Sequence, residues 1–450
     1  MRYAKYIREG CAKDGTQYYS PLRAQLLHGE LLGGAPCLPN SARLVDELFN
    51  WGVEVLKELI SVPTVNPPGE NYGEFVATAS RLLSEAGFED IEIHRVPREV
   101  VEKHYSGLGK YPRYILIARK GSGYPVLHFN GHYDVVPPGQ GWRHDPFDPV
   151  IEGGKLYGRG AVDMKGGIAA AILAARAFFT ANPGFKGTFE IALVPDEEIG
   201  GETGTGYLVE KELSSPDYVV IAEPSGSGTV WIGHRGAYWF YVEVYGKQAH
   251  GSSPWLGVNA FEYMVRVAHD FMTEYRELLS RKKSRYEYDD PRGASPTITL
   301  GGEVKGSTKI NILPGYYAFS VDRRLIVEES IEEVEEEVNR FIQRLRERYP
   351  EVRIEAKPVN KLPPAITPKE SKLVVLAKEA VREVTGAEPR LTVCLGGLDM
   401  RYYTEKGIET ITYGPGPSGV AHQVDEYVEL EELRKVAKAY AALAEKLLAK

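Results

Sequence analysis

Residues 165–198 read KGGIAAAILAARAFFTANPGFKGTFEIALVPDEE. The first half is rich in alanine and free of proline, which favours a helix because alanine gives up the least side-chain freedom there. After Pro183 and Gly184, the run 188–195 is apolar at most positions. A strand of that kind belongs in a sheet covered on both faces, as parallel sheets are. The same alternation extends in both directions. Residues 41–60 place Leu44, Leu48, Val53, Leu56 and Leu59 at helical spacing, and Pro63, Pro67 and Pro68 stop that helix. A helical stretch at 74–86 precedes strand patterns at 114–118 and 126–130, and another strand pattern falls at 218–222. The expected architecture is α/β, with a mixed, largely parallel sheet and helices on both faces.

Between these blocks the pattern changes. Residues 237–246 read as a strand, 258–279 as a helix, 297–300 and 316–325 as strands, 328–349 as a helix and 352–356 as a strand. That β-α-β-β-α-β order is a ferredoxin-like α+β module. The division expected is an N-terminal extension over 1–40, a catalytic unit in two parts over 41–233 and 359–450, and the inserted module over 234–358.

The chain has 450 residues, enough for two domains, and 43% hydrophobic content supplies core material. A formal charge of −8 and no long Lys/Arg run argue against a nucleic-acid partner. Three cysteines, Cys11, Cys37 and Cys394, make no disulfide framework and no thiolate metal spacing. Residues 1–10 lack the apolar stretch of a secretory signal, and Arg176 interrupts the most apolar helix, so no membrane association and a cytoplasmic location are expected. Six glutamines and ten asparagines beside abundant Glu, Lys and Arg hint at a heat-adapted source.

Chemistry-bearing residues stand where strand patterns stop, the usual place for ligands in open α/β sheets. HFNGHYDVVPPGQGW (128–142) carries His132 and Asp134. Two apart in extended chain, they face one side, so Asp134 could orient one ring nitrogen of His132 while the other binds metal. Asp163 in GRGAVDMKGG (158–167) precedes the alanine-rich helix and would equally serve as its N-cap. Glu197 and Glu198 in LVPDEEIGG (193–201) point in different directions, so one can bind a metal while the other moves protons. Glu223 in VVIAEPSG (219–226) and His422 in GPGPSGVAHQVDEYV (414–428) complete the set. Each alone also suits a solvated loop. Together, three carboxylates and two histidines form a mixed oxygen and nitrogen donor set suited to two divalent ions, zinc first and cobalt or manganese next. Gly158, Gly160, Gly166 and Gly167 do not form GxGxxG or a P-loop, which leaves a nucleotide-binding reading weak.

These segments, with GKQAHGSSPWLGVNA (246–260), stand in an order that resembles the acetylornithine deacetylase, succinyl-diaminopimelate desuccinylase, aminoacylase and glutamate carboxypeptidase family. The resemblance spans residues 41–450. It implies a zinc-peptidase-like catalytic domain and makes the inserted module a lid and dimerisation domain, hence a homodimer. By resemblance, Asp163 bridges two ions, His132 and Glu223 complete one site, and Glu198 and His422 the other. Asp134 orients His132, and Glu197 is general base and acid for water activated between the ions. His250 would reach a partner subunit's site and stabilise the oxyanion, and Asn311 and Arg324 would contact the substrate's carboxylate or carbonyl. Gly397 lies in a substrate-facing loop in relatives, where many carry threonine at the position of Leu398. The expected substrate is an N-acyl amino acid, with a short peptide cleaved by a carboxypeptidase or dipeptidase as the alternative. A non-catalytic metal-binding homologue would tolerate loss of Glu197 or a ligand, and all six are present.

Overall fold

The computed structural model describes residues 38–307 and 309–449. All but the last three residues of the expected N-terminal extension lie outside them. The larger sheet runs Asp90–Arg95, Tyr114–Ser122, Gly187–Val194, Val126–His132, Tyr218–Ile221, Glu409–Thr412, Thr229–His234, Ala365–Ile366, with Arg390–Cys394 also paired to Thr229–His234. It is mixed. Pairing is parallel through the centre and antiparallel between the first three strands of that order, where Thr412 meets Trp231, and at Ala365–Ile366.

Strand periodicity sorts the side chains onto two covered faces. Leu116, Ala118, Ile191 and Leu193 pack with the helices Asn40–Ser61, Tyr72–Ala86, Lys165–Ala181, Lys372–Thr385 and Leu430–Leu448. Ile115, Ile117, Ala192 and Val194 face the opposite way, towards Leu208, Met400 and Tyr403 on shorter helices. The alanine-rich helix is buried almost all round. Its start is held against the sheet by Gly167, where a Cβ would collide with the Ala222 carbonyl. That close approach brings the helix start beside the strand end that leads to Glu223.

The four-stranded unit orders Thr297–Lys305, Tyr316–Leu325, Gly236–Tyr245 and Arg353–Leu362, all antiparallel. One face packs Tyr238, Phe240, Val242 and Val244 against Ile331–Arg348 and Ala260–Asp270. The helix read over 258–279 begins at Ala260 and passes through a π turn, Phe271–Tyr275, before Arg276–Ser280. The last strand continues past the expected stop, through Pro358 to Leu362, with a register shift between Pro358 and Asn360. It is an edge strand, where a missing N–H costs no ladder bond. The chain leaves the large sheet after His234 and rejoins it at Ala365–Ile366, which pairs directly with His234 and Gly233. Among the described residues no helix is long and apolar enough to cross a membrane.

Candidate metal centre

His132 ends its strand almost fully buried. Its Nε2 lies 3.1 Å from Asp163 Oδ1 and 3.2 Å from Glu223 Oε1. Its Nδ1 is 3.0 Å from the Asp134 main-chain carbonyl and 3.5 Å from the carboxylate. A carbonyl only accepts, so Nδ1 carries a proton, and Nε2 is the ring nitrogen left to face the two acids. The Asp134 carboxylate has other partners: Oδ1 accepts Glu197 N–H at 3.2 Å, and Oδ2 accepts Glu198 N–H at 3.2 Å and Asn66 Nδ2 at 2.9 Å.

Asp163 does not cap the alanine-rich helix. Met164 holds the N-cap position, without a side-chain cap bond. The Asp163 carboxylate faces both histidines, with Oδ2 3.2 Å from His422 Nε2. Glu198, in the 3-10 turn Glu197–Ile199, places Oε1 3.0 Å from the same His422 nitrogen. His422 is half-exposed on a loop with φ 63°. One donor atom each from His132, Glu197 and Glu223 lie within 4.8 Å of one another, as do those from His132, Asp163 and Glu198.

The electrostatics match that crowding. Burial, with the charges of Glu223, Asp399 and Glu198, raises the Glu197 carboxyl well above its ordinary range. Burial and the Asp163 charge push Glu223 up to about 8. Asp163 moves the other way, because hydrogen bonds from His132 and His422 outweigh its desolvation. Hydrogen bonds to Asp163 and Glu198 hold His422 up to about 10. Acids packed this closely out of water need positive charge. A borderline divalent ion suits their mixture of oxygen and imidazole donors, so the residues fit a metal centre.

Several supporting residues were not singled out in the sequence. Asp196 is buried with φ 67° at the start of the Glu197 turn. It accepts Arg113 Nε at 2.8 Å, Tyr72 OH at 3.2 Å, Asn66 Nδ2 at 3.0 Å and the Thr203 hydroxyl. The third acid in PDEE was a visible signal, whereas Arg113, 83 residues away, had none.

The remaining expected site residues have their partners elsewhere in this chain. His250 is exposed, with Nδ1 2.8 Å from Ser252 Oγ. Asn311 is exposed, and its carbonyl accepts Gly251 N–H at 2.9 Å. Arg324 pairs with Asp322 at 2.9 Å. Gly397 packs against Leu362, where a Cβ would meet Cδ1 at 2.7 Å. Two residues on, buried Asp399 accepts Thr205 Oγ1 at 2.6 Å, and burial raises its carboxyl to about 6.

A buried cluster of acids and imidazoles at the strand ends of a doubly covered sheet fits a metal-dependent enzyme, and comparison with known proteins makes it a hydrolase of amide bonds. Residues 128–446 match the model of peptidase family M20/M25/M40. A succinyl-diaminopimelate desuccinylase of Gluconobacter oxydans is 32% identical over 403 residues, covering 87% of this chain and 96% of that one. Aminopeptidase PepT from Bacillus cereus superposes with TM-score 0.68 at 22% identity, over 88% of this chain and 98% of its own. The YXEP protein of Bacillus subtilis, described as a dinuclear metal-binding peptidase, gives TM-score 0.62 at 17% identity, over 89% and 98%. The chain belongs to peptidase family M20/M25/M40.

Proposed function

We propose that this protein hydrolyses the amide bond of an N-acyl amino acid of the succinyl-diaminopimelate or acetylornithine type. In this reading His132 and Glu223 hold one divalent ion, Glu198 and His422 a second, and Asp163 is shared. Zinc fits the donors, and cobalt or manganese would occupy the same set. When bound, the two ions supply Lewis acidity towards the amide carbonyl and a lowered pKa for water.

The chain's own residues do the rest. Glu197 takes the proton of the attacking water and passes it to the leaving nitrogen. The raised proton affinity of its carboxyl is what a group holding a proton between two steps needs. Asp134 keeps the Glu197–Glu198 turn in place through both amides and, by its carbonyl, sets the His132 tautomer. His250 supplies oxyanion stabilisation across a homodimer, while Asn311, Arg324 and the Gly397 loop contact the acyl amino acid. Exposed Phe261, Val265 and Met272 on the interrupted helix offer an apolar face for that dimer. Its place is the cytoplasm.

The observation that carries the reading is the division of labour at one strand end: Glu198 faces His422 at 3.0 Å, and Glu197 beside it is the acid with the strongly raised proton affinity. The test is kcat/KM on N-succinyl and N-acetyl amino acids and on dipeptides, with zinc or cobalt supplied. Highest turnover on an N-acyl amino acid is expected. A preference for dipeptides or for C-terminal peptide bonds would replace this substrate assignment with the peptidase alternative, and no turnover of any amide would remove it.

A further inference from the structure

Arg159 and Glu426 form an ion pair buried to about 1% exposure on each side, with Nη1 2.5 Å from Oε2. Its bonds reach three separate segments of main chain. Glu426 Oε1 accepts the N–H groups of Val162 at 3.0 Å and Asp163 at 3.1 Å. Arg159 Nη2 donates to the carbonyls of Pro137 at 3.4 Å, Pro138 at 3.3 Å and His422 at 3.4 Å. Gly158 N–H meets the Glu426 carbonyl at 3.0 Å, and Tyr427–Glu429 then pairs with Lys155–Tyr157. One pair therefore joins the turn that carries Asp163, the loop that carries His422 and the stretch that follows Asp134. His132 and Glu223 meet each other at 3.2 Å at strand ends, away from these bonds.

Another buried pair gives the contrast. Arg323 and Glu329, 2.6 Å apart, bond within the inserted stretch 235–364, to Arg324 carbonyl, Ile326 N–H, Glu337 and Lys282. Burial alone therefore does not distinguish Arg159–Glu426. Its distinction lies in which main-chain groups it holds.

We propose that Arg159 and Glu426 are positioning residues that fix Asp163 and His422 relative to each other, and so set the affinity of the His422 side of a two-ion centre. This rests on the two-ion reading above. Loss of the pair would release both segments on the His422 side, but on the other side would disturb only the shared Asp163. Groups behind metal ligands typically contribute about 10–100-fold in affinity.

The test is a titration of chelator-treated protein with cobalt(II), followed by calorimetry and by visible absorption. Wild type, Glu426→Gln and Glu329→Gln are compared, each checked for folding by circular dichroism. Glu426→Gln keeps an oxygen for the two N–H groups but loses the charge facing Arg159. The expected result is two equivalents in wild type and Glu329→Gln. In Glu426→Gln one equivalent stays near wild-type affinity and the other weakens about 10–100-fold, with loss of its absorption band. If Glu426→Gln does not fold, Arg159→Lys takes its place, because one ammonium cannot span the Glu426 carboxylate and three carbonyls. Two equivalents at wild-type affinity, a parallel loss of both, or the same loss in Glu329→Gln overturns this inference alone. Wild type that takes up no ion overturns the two-ion reading and the inference with it.

Discussion

Replacing Arg113 by methionine removes the countercharge of a carboxylate that has no access to water. Arg113 and Asp196 are both fully buried, and the guanidinium also donates to the Tyr111 and Pro68 carbonyls, each at 2.9 Å. Breaking such a pair from one side costs about 3–5 kcal/mol. The geometry adds a ceiling, because Asp196 can escape by taking up a proton. From an unfolded pKa of about 3.9, that escape costs about 4 kcal/mol at pH 7 and about 1.5 kcal/mol at pH 5. In wild type, burial and the Asp134 charge already raise Asp196, and Arg113 pulls it back. Without Arg113 its folded pKa rises further above the unfolded value. The folded variant then holds a proton that the unfolded chain releases, so its deficit grows as pH rises from about 4 towards 7. Urea unfolding of the metal-free protein at pH 5 and pH 7 measures this directly. The double variant Arg113→Met, Asp196→Leu removes both charges, so it should recover most of the loss and lose the extra pH dependence. A single variant within about 1 kcal/mol of wild type at pH 7, or a deficit equal at both pH values, would refute the reasoning.

Glu197→Gln should lower kcat by about 10²–10⁴-fold while metal content, read by atomic absorption, stays at the wild-type level. A variant that loses metal would make Glu197 a ligand instead. Gly167→Ala places a methyl group against the Ala222 carbonyl and should destabilise by about 1–3 kcal/mol in thermal unfolding; an unchanged transition would mean the helix start yields without strain. Removing divalent ions with a chelator should lower the unfolding temperature, since an ion at a thousandfold excess over its Kd stabilises the folded chain by about 4 kcal/mol. A transition that does not move would count against ions bound to the native state.

The sheet was legible because buried strands and an alanine-rich helix leave strong local patterns. The five acids and imidazoles were legible because each closes a strand or turn. What could not be read is what depends on distant partners. Asp163 looks the same in sequence whether it caps a helix or faces two histidines, and only the approach of His132 and His422 decides it. His128 and Glu190 look like polar blemishes in two apolar strands. They are register partners, with His128 Nδ1 2.5 Å from Glu190 Oε1. Asn66, which bridges Asp134 and Asp196, sits in a proline-rich stretch that reads only as a helix stop. The strand through Pro358 was missed for a related reason. Whether a proline is tolerated depends on whether its strand lies at an edge, and a strand's neighbours are not written beside it.

The return of the chain to the large sheet has a practical meaning. Residues 235–364 form an excursion whose flanking residues face each other on one ladder, His234 opposite Ala365. Adjacent strands lie about 4.8 Å apart, a gap that a two-residue hairpin turn spans. The excursion is tied to the large sheet at one further place, where Tyr288 bridges Val393 and Asp289 N–H donates to the Val393 carbonyl, so replacing it by a tight turn would also strip those bonds from the strand Arg390–Cys394. It also separates two timescales of assembly. Gly233 and His234 wait for a partner that arrives only after residues 235–364 have been threaded, a long loop to close, whereas the four-stranded unit can form from contacts within its own length.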